Sequence, residues 1–185
     1  SFLLKINLRE KSVLTASFSA RIVRPYFAYL NPNINYADSM NITYGNPDLQ
    51  PEVIHNYVLE YSYNNRALFG SVSLIYANSR QGMDAVRIMR PDKIVETTYR
   101  NLGHSETWGL STSARYTGSR FTAGTTVLLR HLSLSSPSLN LTNSDLITQL
   151  DLNMSYRFNK GFAIESMVYY ISGYLGIQQT RDSYL

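Results

Sequence analysis

Apolar and polar residues alternate along most of this chain, which is the pattern expected of β-strands with one dry face and one wet face. Between Leu14 and Ile22, every even-numbered position is apolar, and the odd-numbered positions are Thr, Ser or Arg. Three further segments alternate in a similar way: Asn56–Asn64, Thr107–Tyr116 and Leu150–Phe158. Helical periodicity is hard to find, so the sequence predicts an all-β fold.

The connections between these segments are alternately short and long. The short polar turns are Arg9–Lys11, Asn64–Arg66, Thr117–Ser119 and Asn159–Gly161, and the longer irregular stretches are Pro25–Pro51, Gln81–Lys93 and Ser133–Asp145. This order predicts an antiparallel up-and-down meander of about eight to nine strands, with turns at one end and loops at the other. The ninth strand is expected to begin near Tyr174. Ala67–Arg90 and Ile94–Tyr116 exceed one membrane crossing, so this pair is expected to project outward and turn at Pro91–Lys93.

The alternation also assigns strand residues to faces. We expect one continuous apolar surface to contain Leu14, Phe18, Leu59, Tyr61, Leu110, Leu152, Met154 and Ile164. The opposite face is expected to contain Arg21, Glu60, Ser113, Arg115, Asp151 and Arg157. Aromatic residues crowd the short turns, as in the interfacial girdle of a membrane barrel, so we expect the meander to be part of a larger transmembrane β-barrel.

Composition narrows the class of protein further. The 185 residues include no cysteine, which excludes a disulfide framework and thiolate metal sites. The net charge of +4 is spread along the chain, and without a basic block we expect no nucleic-acid partner. No apolar run approaches the ~20 residues that a membrane-spanning helix needs. The chain begins with Ser1 and shows no signal-peptide pattern, so we expect a fragment of a longer protein.

The most specific string in the sequence is Gly45-Asn46-Pro47-Asp48-Leu49-Gln50-Pro51-Glu52. Its two prolines stiffen the approach to the following strand, because a residue before proline is held extended. The string resembles the Gly-Asn-Pro-x-Leu-x-Pro-Glu signature of TonB-dependent receptors. Further resemblance to the outer-membrane β-barrel branch of that family, common in Bacteroidetes, lies at Arg21–Pro25, Leu30–Pro32, Asn56–Tyr63, Tyr99–Gly103 and Trp108–Leu110.

The resemblance implies a barrel of ~22 strands that encloses an N-terminal plug domain. Residues 1–185 would then be a partial outer-membrane β-barrel domain that lacks the plug and the remaining strands. It also implies a location in the bacterial outer membrane, contact with outer-membrane lipid, and coupling to the TonB complex through the missing N-terminal region. The implied function is capture and energised uptake of a small-molecule or oligomeric nutrient, such as a siderophore, glycan, cobalamin or peptide.

Candidate ligand contacts lie in the longest connection, because binding residues concentrate on loops. They are Tyr26, Tyr29, Tyr36 and Tyr44, although such rings more often pack a loop against itself. His55, His104 and His131 show no metal-binding or nucleophilic spacing, so we expect no catalytic residue, no metal, no cofactor and no enzyme activity. Two alternatives stay open: a soluble extracellular β-sandwich for adhesion or binding, and a small outer-membrane barrel enzyme.

Overall fold

The computed structural model of the chain describes residues 1–101, 103–137, 140–159, 161–175 and 180–181. Most of them are in strands, as the alternation predicted. The elements are β1 (Phe2–Arg9), β2 (Ser12–Val23), α1 (Phe27–Leu30), β3 (Asn35–Asp38), β4 (Asn41–Thr43), β5 (Glu52–Asn64), β6 (Leu68–Arg80), β7 (Met83–Met89), β8 (Val95–Asn101), β9 (His104–Thr117), β10 (Phe121–Ser136), β11 (Leu141–Arg157), β12 (Ala163–Ile171), β13 (Tyr174–Leu175) and β14 (Thr180–Arg181). No helix in the described part of the chain is long and apolar enough to cross a membrane.

Eight strands form one antiparallel sheet in the order β1-β2-β5-β6-β9-β10-β11-β12. This order confirms the predicted up-and-down meander. The four predicted short turns all lie at one end of the sheet, where backbone hydrogen bonds join neighbouring hairpins. These bonds run from Asn64 N to Lys11 O at 2.9 Å, from Thr117 N to Ala67 O at 2.8 Å and from Arg157 N to Arg120 O at 2.8 Å.

The sheet is open within the described residues, because β1 and β12 are its two edges and do not pair with each other. An open edge exposes a row of unpaired backbone N–H and C=O groups. In hydrocarbon each such group has a free-energy cost of several kcal/mol, roughly, so only a closed barrel is stable there. Further strands are therefore needed to complete a membrane barrel from this sheet.

The strand registers confirm both predicted faces, because residues directly opposite each other in an antiparallel pair point to the same side. On the apolar side, Leu14 lies opposite Tyr61. On the polar side, Ser113 lies opposite Thr126, and Thr126 lies opposite Asp151. When the opposed pairs are followed from strand to strand, all the predicted apolar residues share one surface and all the predicted polar residues share the other.

The two connections at the far end of the first hairpins fold into a second sheet, in the order β3-β4-β8-β7, which we call the outer sheet. β4 and β8 run parallel, and the other two pairs are antiparallel. The predicted turn at Pro91–Lys93 is present, with Arg90 N donating to Ile94 O at 2.9 Å. This sheet has an apolar interior of its own, since the buried side chains of the described residues include Ile42 and Val86.

Several predicted loops are wrong in part. Ser133–Asp145 was expected to be irregular, yet β10 and β11 continue through most of it and pair as far as Ser136 with Leu141. Pro25–Pro51 and Gln81–Lys93 were also expected to be irregular, but they contain α1, β3, β4 and β7. The expected ninth strand near Tyr174 is present only as β13, which pairs with β14 and does not join the large sheet.

Candidate functional site

The segment Gly45–Glu52 attaches the longest connection to the outer sheet. Gly45 N donates to Asn31 O at 2.7 Å, and Asn46 N donates to Tyr29 O at 2.6 Å. A Cβ added at Gly45 would lie 2.6 Å from Asn31 N, Asn31 O and Tyr29 O, which is closer than real side chains approach backbone atoms. Glycine is therefore required here because two stretches of backbone pass in direct contact.

Side chains on both sides of this segment complete the attachment. The Asn46 amide donates to Tyr99 O in β8 at 3.1 Å, and its Oδ1 accepts from Asp48 N at 3.0 Å. Asn101 Oδ1 accepts from Gln50 N at 2.8 Å, while its amide donates to the carbonyls of Gln50 and Gln81, each at 2.8 Å. We call the segment Gly45–Glu52 together with Asn101 the loop clamp.

The remaining residues of the segment Gly45–Glu52 also stabilise the local structure, through burial, a hydrogen bond or a restricted backbone. Leu49 is buried with 6% of its surface exposed. Glu52 begins β5 and accepts a short hydrogen bond from Ser79 Oγ in β6. Pro47 and Pro51 lie in the non-helical backbone between β4 and β5, where their fixed φ limits the conformations available. The motif residues thus hold the outer sheet over the ends of β5 and β6.

The four candidate tyrosines occupy different environments. Tyr29 stacks on Tyr99 with ring centroids 4.0 Å apart, and burial together with Tyr29 raises the pKa of Tyr99. The Tyr44 hydroxyl donates to Glu96 Oε2 at 3.5 Å. Tyr26 has 69% of its surface exposed, so its ring is available to a ligand. The backbone of Tyr36 lies in β3, but its side chain is outside the described part of the structure.

A cavity of about 460 Å³ lies between the long connection and the tip of the β7–β8 hairpin. Aliphatic side chains such as Ile42 and Ile94 line it, together with Tyr44, Arg90 and Glu96. Arg90 is paired with Glu96 at 3.2 Å and with Asp92 at 3.4 Å, so these three charges offset one another. Sequence reasoning missed this cavity because its walls come from segments about fifty residues apart in the chain.

At the nearby β3–β4 turn, Asp38 accepts a 2.5 Å hydrogen bond from the Asn41 side chain and a 2.8 Å bond from Met40 N. These bonds stabilise the carboxylate, so the pKa of Asp38 is lowered from its usual range.

A row of aromatic side chains crosses four strands on the apolar face. Ring centroids are 4.9 Å apart from Phe18 to Tyr57, 5.9 Å from Tyr57 to Tyr76, and 4.4 Å from Tyr76 to Trp108. We call these four residues the outer aromatic row. The row was not predicted from the sequence, because its successive members lie 19 to 39 residues apart in the chain and only the cross-strand registers bring them together.

A second group of aromatic residues lies on the same face beside the short turns, as the sequence predicted. Its members, the inner aromatic row, are Tyr61, Tyr63, Tyr116, Phe121, Tyr156, Phe158 and Phe162. On β9, Tyr116 is eight positions beyond Trp108, or roughly 27 Å along the strand. A strand tilt of ~40° reduces this to a height of about 21 Å, close to the apolar band of a membrane barrel.

Most side chains between the two rows are apolar, and Leu74 among them has 57% of its surface exposed. The opposite face is polar, and its side chains hydrogen-bond across strands: Ser73 Oγ to Glu60 Oε2 at 3.0 Å, and Ser113 Oγ to Thr126 Oγ1 at 3.0 Å. Among the described residues there is no group of three or more His, Cys, Asp or Glu side chains that could hold a metal ion. The apolar face is therefore suited to contact with lipid, and the polar face is suited to contact with water.

These features define a class of protein: a section of a transmembrane β-barrel with short turns at one end, a lipid-facing apolar band, a polar lumen face and a folded loop region at the other end. The model of the outer membrane protein beta-barrel family matches residues 1–185. The chain belongs to this family, and its location is the bacterial outer membrane. Because the chain belongs to a family of membrane barrels, the alternative of a soluble β-sandwich is wrong. No curated protein matches the sequence.

Proposed function

We propose that this chain is part of a TonB-dependent receptor, which captures a nutrient at the cell surface and imports it with energy delivered through TonB. The observation that supports the proposal is the segment Gly45–Glu52. It resembles the receptor signature, and it forms most of the loop clamp that holds the outer sheet over the strand ends. A preorganised loop region loses less conformational entropy when a ligand binds than a flexible one does.

The open sheet supports the same proposal. Eight strands with two free edges require partners, and a barrel completed to ~22 strands has a lumen wide enough to hold a plug. We propose that the TonB complex contacts the plug region, which is N-terminal to these strands, and that the polar face guides the nutrient. The exposed ring of Tyr26 is the candidate ligand contact with the clearest access from solvent.

We further propose that no residue of this chain is catalytic. The alternative of a small barrel enzyme needs a barrel that closes within these residues, whereas the described strands leave β1 and β12 as open edges. The nutrient is a small molecule or an oligomer that does not pass general pores efficiently.

The test is a growth assay with the whole receptor in its own bacterium. The gene is deleted, and the strain is grown on a panel of single limiting siderophores, cobalamin, glycans and peptides. We expect the deletion to abolish growth on one nutrient class, the complete gene to restore it, and inactivation of TonB to cause the same defect. If the gene supports that growth equally well without TonB, the proposal is wrong. Steady open-pore conductance of the purified whole protein in a planar bilayer would also contradict it, since a plugged barrel does not conduct.

A further inference from the structure

The cavity beside the tip of the β7–β8 hairpin has mostly apolar walls. These walls come from two parts of the chain: Ile42 and Ile94 from the outer sheet, and Pro32 and Ile34 from the connection that precedes β3. The volume of about 460 Å³ lies within the range of small-molecule sites, which is about 300–1,000 Å³. The cavity is therefore suited in size and lining to the apolar part of a small ligand.

Glu96 is the acidic residue in this lining. It lies opposite Ile42 in the parallel pair of β4 and β8, so both side chains point to the same side of the outer sheet. Its side chain is 23% exposed. Glu96 Oε1 accepts from Arg90 at 3.2 Å, and Oε2 accepts a long bond of 3.5 Å from the Tyr44 hydroxyl. Because a carboxylate has about four lone-pair sites, Oε2 has capacity for a further donor from a ligand.

The charges around Arg90 favour a cationic ligand. Arg90 is paired with both Glu96 and Asp92, so two carboxylates outweigh one guanidinium by one negative charge. Lys93 in the same turn is exposed and does not line the cavity. A ligand cation near Glu96 would be attracted, whereas a ligand carboxylate would be repelled. The apolar walls strengthen this preference, because charges interact more strongly where the dielectric constant is low.

We propose that the cavity binds an apolar oligopeptide by its free N-terminus, with the terminal ammonium at Glu96 Oε2 and the first side chains against the aliphatic walls. This inference rests on the proposed function, since it names the class of nutrient. With an α-amino pKa of about 8, a peptide N-terminus is mostly charged at neutral pH, and it has hydrogen-bond donors for the carboxylate. A glycan would instead place hydroxyl groups against apolar walls that offer them no hydrogen bond.

The test is isothermal titration calorimetry of the whole protein in detergent with three peptide probes. Leucyl-phenylalanine amide has a free N-terminus, apolar side chains and no carboxylate, and we expect it to bind. Its N-acetylated form keeps the apolar body but has no charge, and it should bind about tenfold more weakly, the effect of losing one charge-assisted hydrogen bond. Glycyl-glycine amide keeps the ammonium but lacks apolar side chains, so it should also bind at least about tenfold more weakly.

Glu96→Gln and Asp92→Asn form a matched pair of variants. Each removes one carboxylate beside Arg90, but Glu96 lines the cavity and Asp92 does not. We expect Glu96→Gln to weaken binding of the free dipeptide amide about tenfold relative to the acetylated form, and Asp92→Asn to change this ratio by less than about threefold.

Three results would each overturn the inference: no binding of the free dipeptide amide to the wild-type protein, equal binding of its free and acetylated forms, or equal losses in the two variants. The titration requires neither TonB nor transport. Peptide binding without TonB-dependent growth would therefore contradict the proposed function alone, and TonB-dependent growth without peptide binding would contradict this inference alone.

Discussion

Replacing Gly45 with alanine should loosen the long outer connection without unfolding the barrel. The added Cβ would lie 2.6 Å from backbone atoms of Asn31 and Tyr29. One of the two backbone segments must therefore move away from the other. That movement breaks the two hydrogen bonds from Gly45 N and Asn46 N, at about 1 kcal/mol each. Partial exposure of the buried Leu49 side chain adds about 1–2 kcal/mol. The expected cost is about 3–4 kcal/mol, which is confined to the outer sheet because the barrel strands make none of these contacts.

The assay is hydrogen exchange of the whole protein in detergent, measured by mass spectrometry on peptides from residues 24–51. A cost of about 3 kcal/mol should accelerate exchange there by about a hundredfold, while peptides from β10 and β11 keep wild-type rates. Gly82→Ala is the matched control, since the nearest atoms to its added Cβ are side-chain oxygens at 3.8 Å. Wild-type exchange in Gly45→Ala, or equal acceleration in both variants, would refute the assigned role of Gly45.

Three further predictions follow from the faces and ends of the sheet. Leu152→Arg should reduce the yield of heat-modifiable, membrane-inserted protein, because arginine facing lipid costs about 2–4 kcal/mol at mid-membrane, whereas Asp151→Asn should assemble normally. Equal yields of the two variants would contradict the lipid-facing assignment of Leu152. Cysteine introduced at Asn140 should react with an impermeant thiol reagent on intact cells, and cysteine at Ser119 should react only after the cells are opened; labelling of both in intact cells would contradict the orientation. Tyr26→Ala should weaken nutrient binding while hydrogen exchange of the outer sheet stays unchanged, and an unchanged binding constant would remove Tyr26 from the ligand site.

Much of the membrane-spanning sheet could be predicted from the sequence, because each strand there has lipid on one side and water on the other. Leu152 and Asp151 are neighbours with opposite environments, and this contrast is visible as alternation. The short turns could also be predicted, because a short polar segment between two alternating segments has room only for a tight turn between two strands. The segment Gly45–Glu52 also predicted a rigid entry to β5, which the contacts of Gly45 and Asn46 explain.

The outer region could not be predicted in the same way. Above the membrane both faces of a strand meet water, so Ser133–Asp145 shows no contrast between odd and even positions, although β10 and β11 stay paired through it as far as Ser136 with Leu141. Ser136 illustrates the difficulty, because it is a small polar residue in a Ser-rich stretch and yet is completely buried. The outer aromatic row was missed for another reason: membership depends on register between strands, and no local window of sequence contains two of its residues.

The parallel pairing of β4 with β8 sets an order of events during membrane insertion. Asn41 pairs with Val95, so residues from two separate crossings of the membrane must meet on the outside. The barrel hairpins pair only with sequence neighbours and can form one at a time, which is the fast, local kind of assembly. The outer sheet has to wait until both of its parent hairpins have delivered their connections across the bilayer. Any ligand or antibody that recognises the finished outer sheet would therefore report insertion of both parent hairpins and leave copies that lack either hairpin undetected.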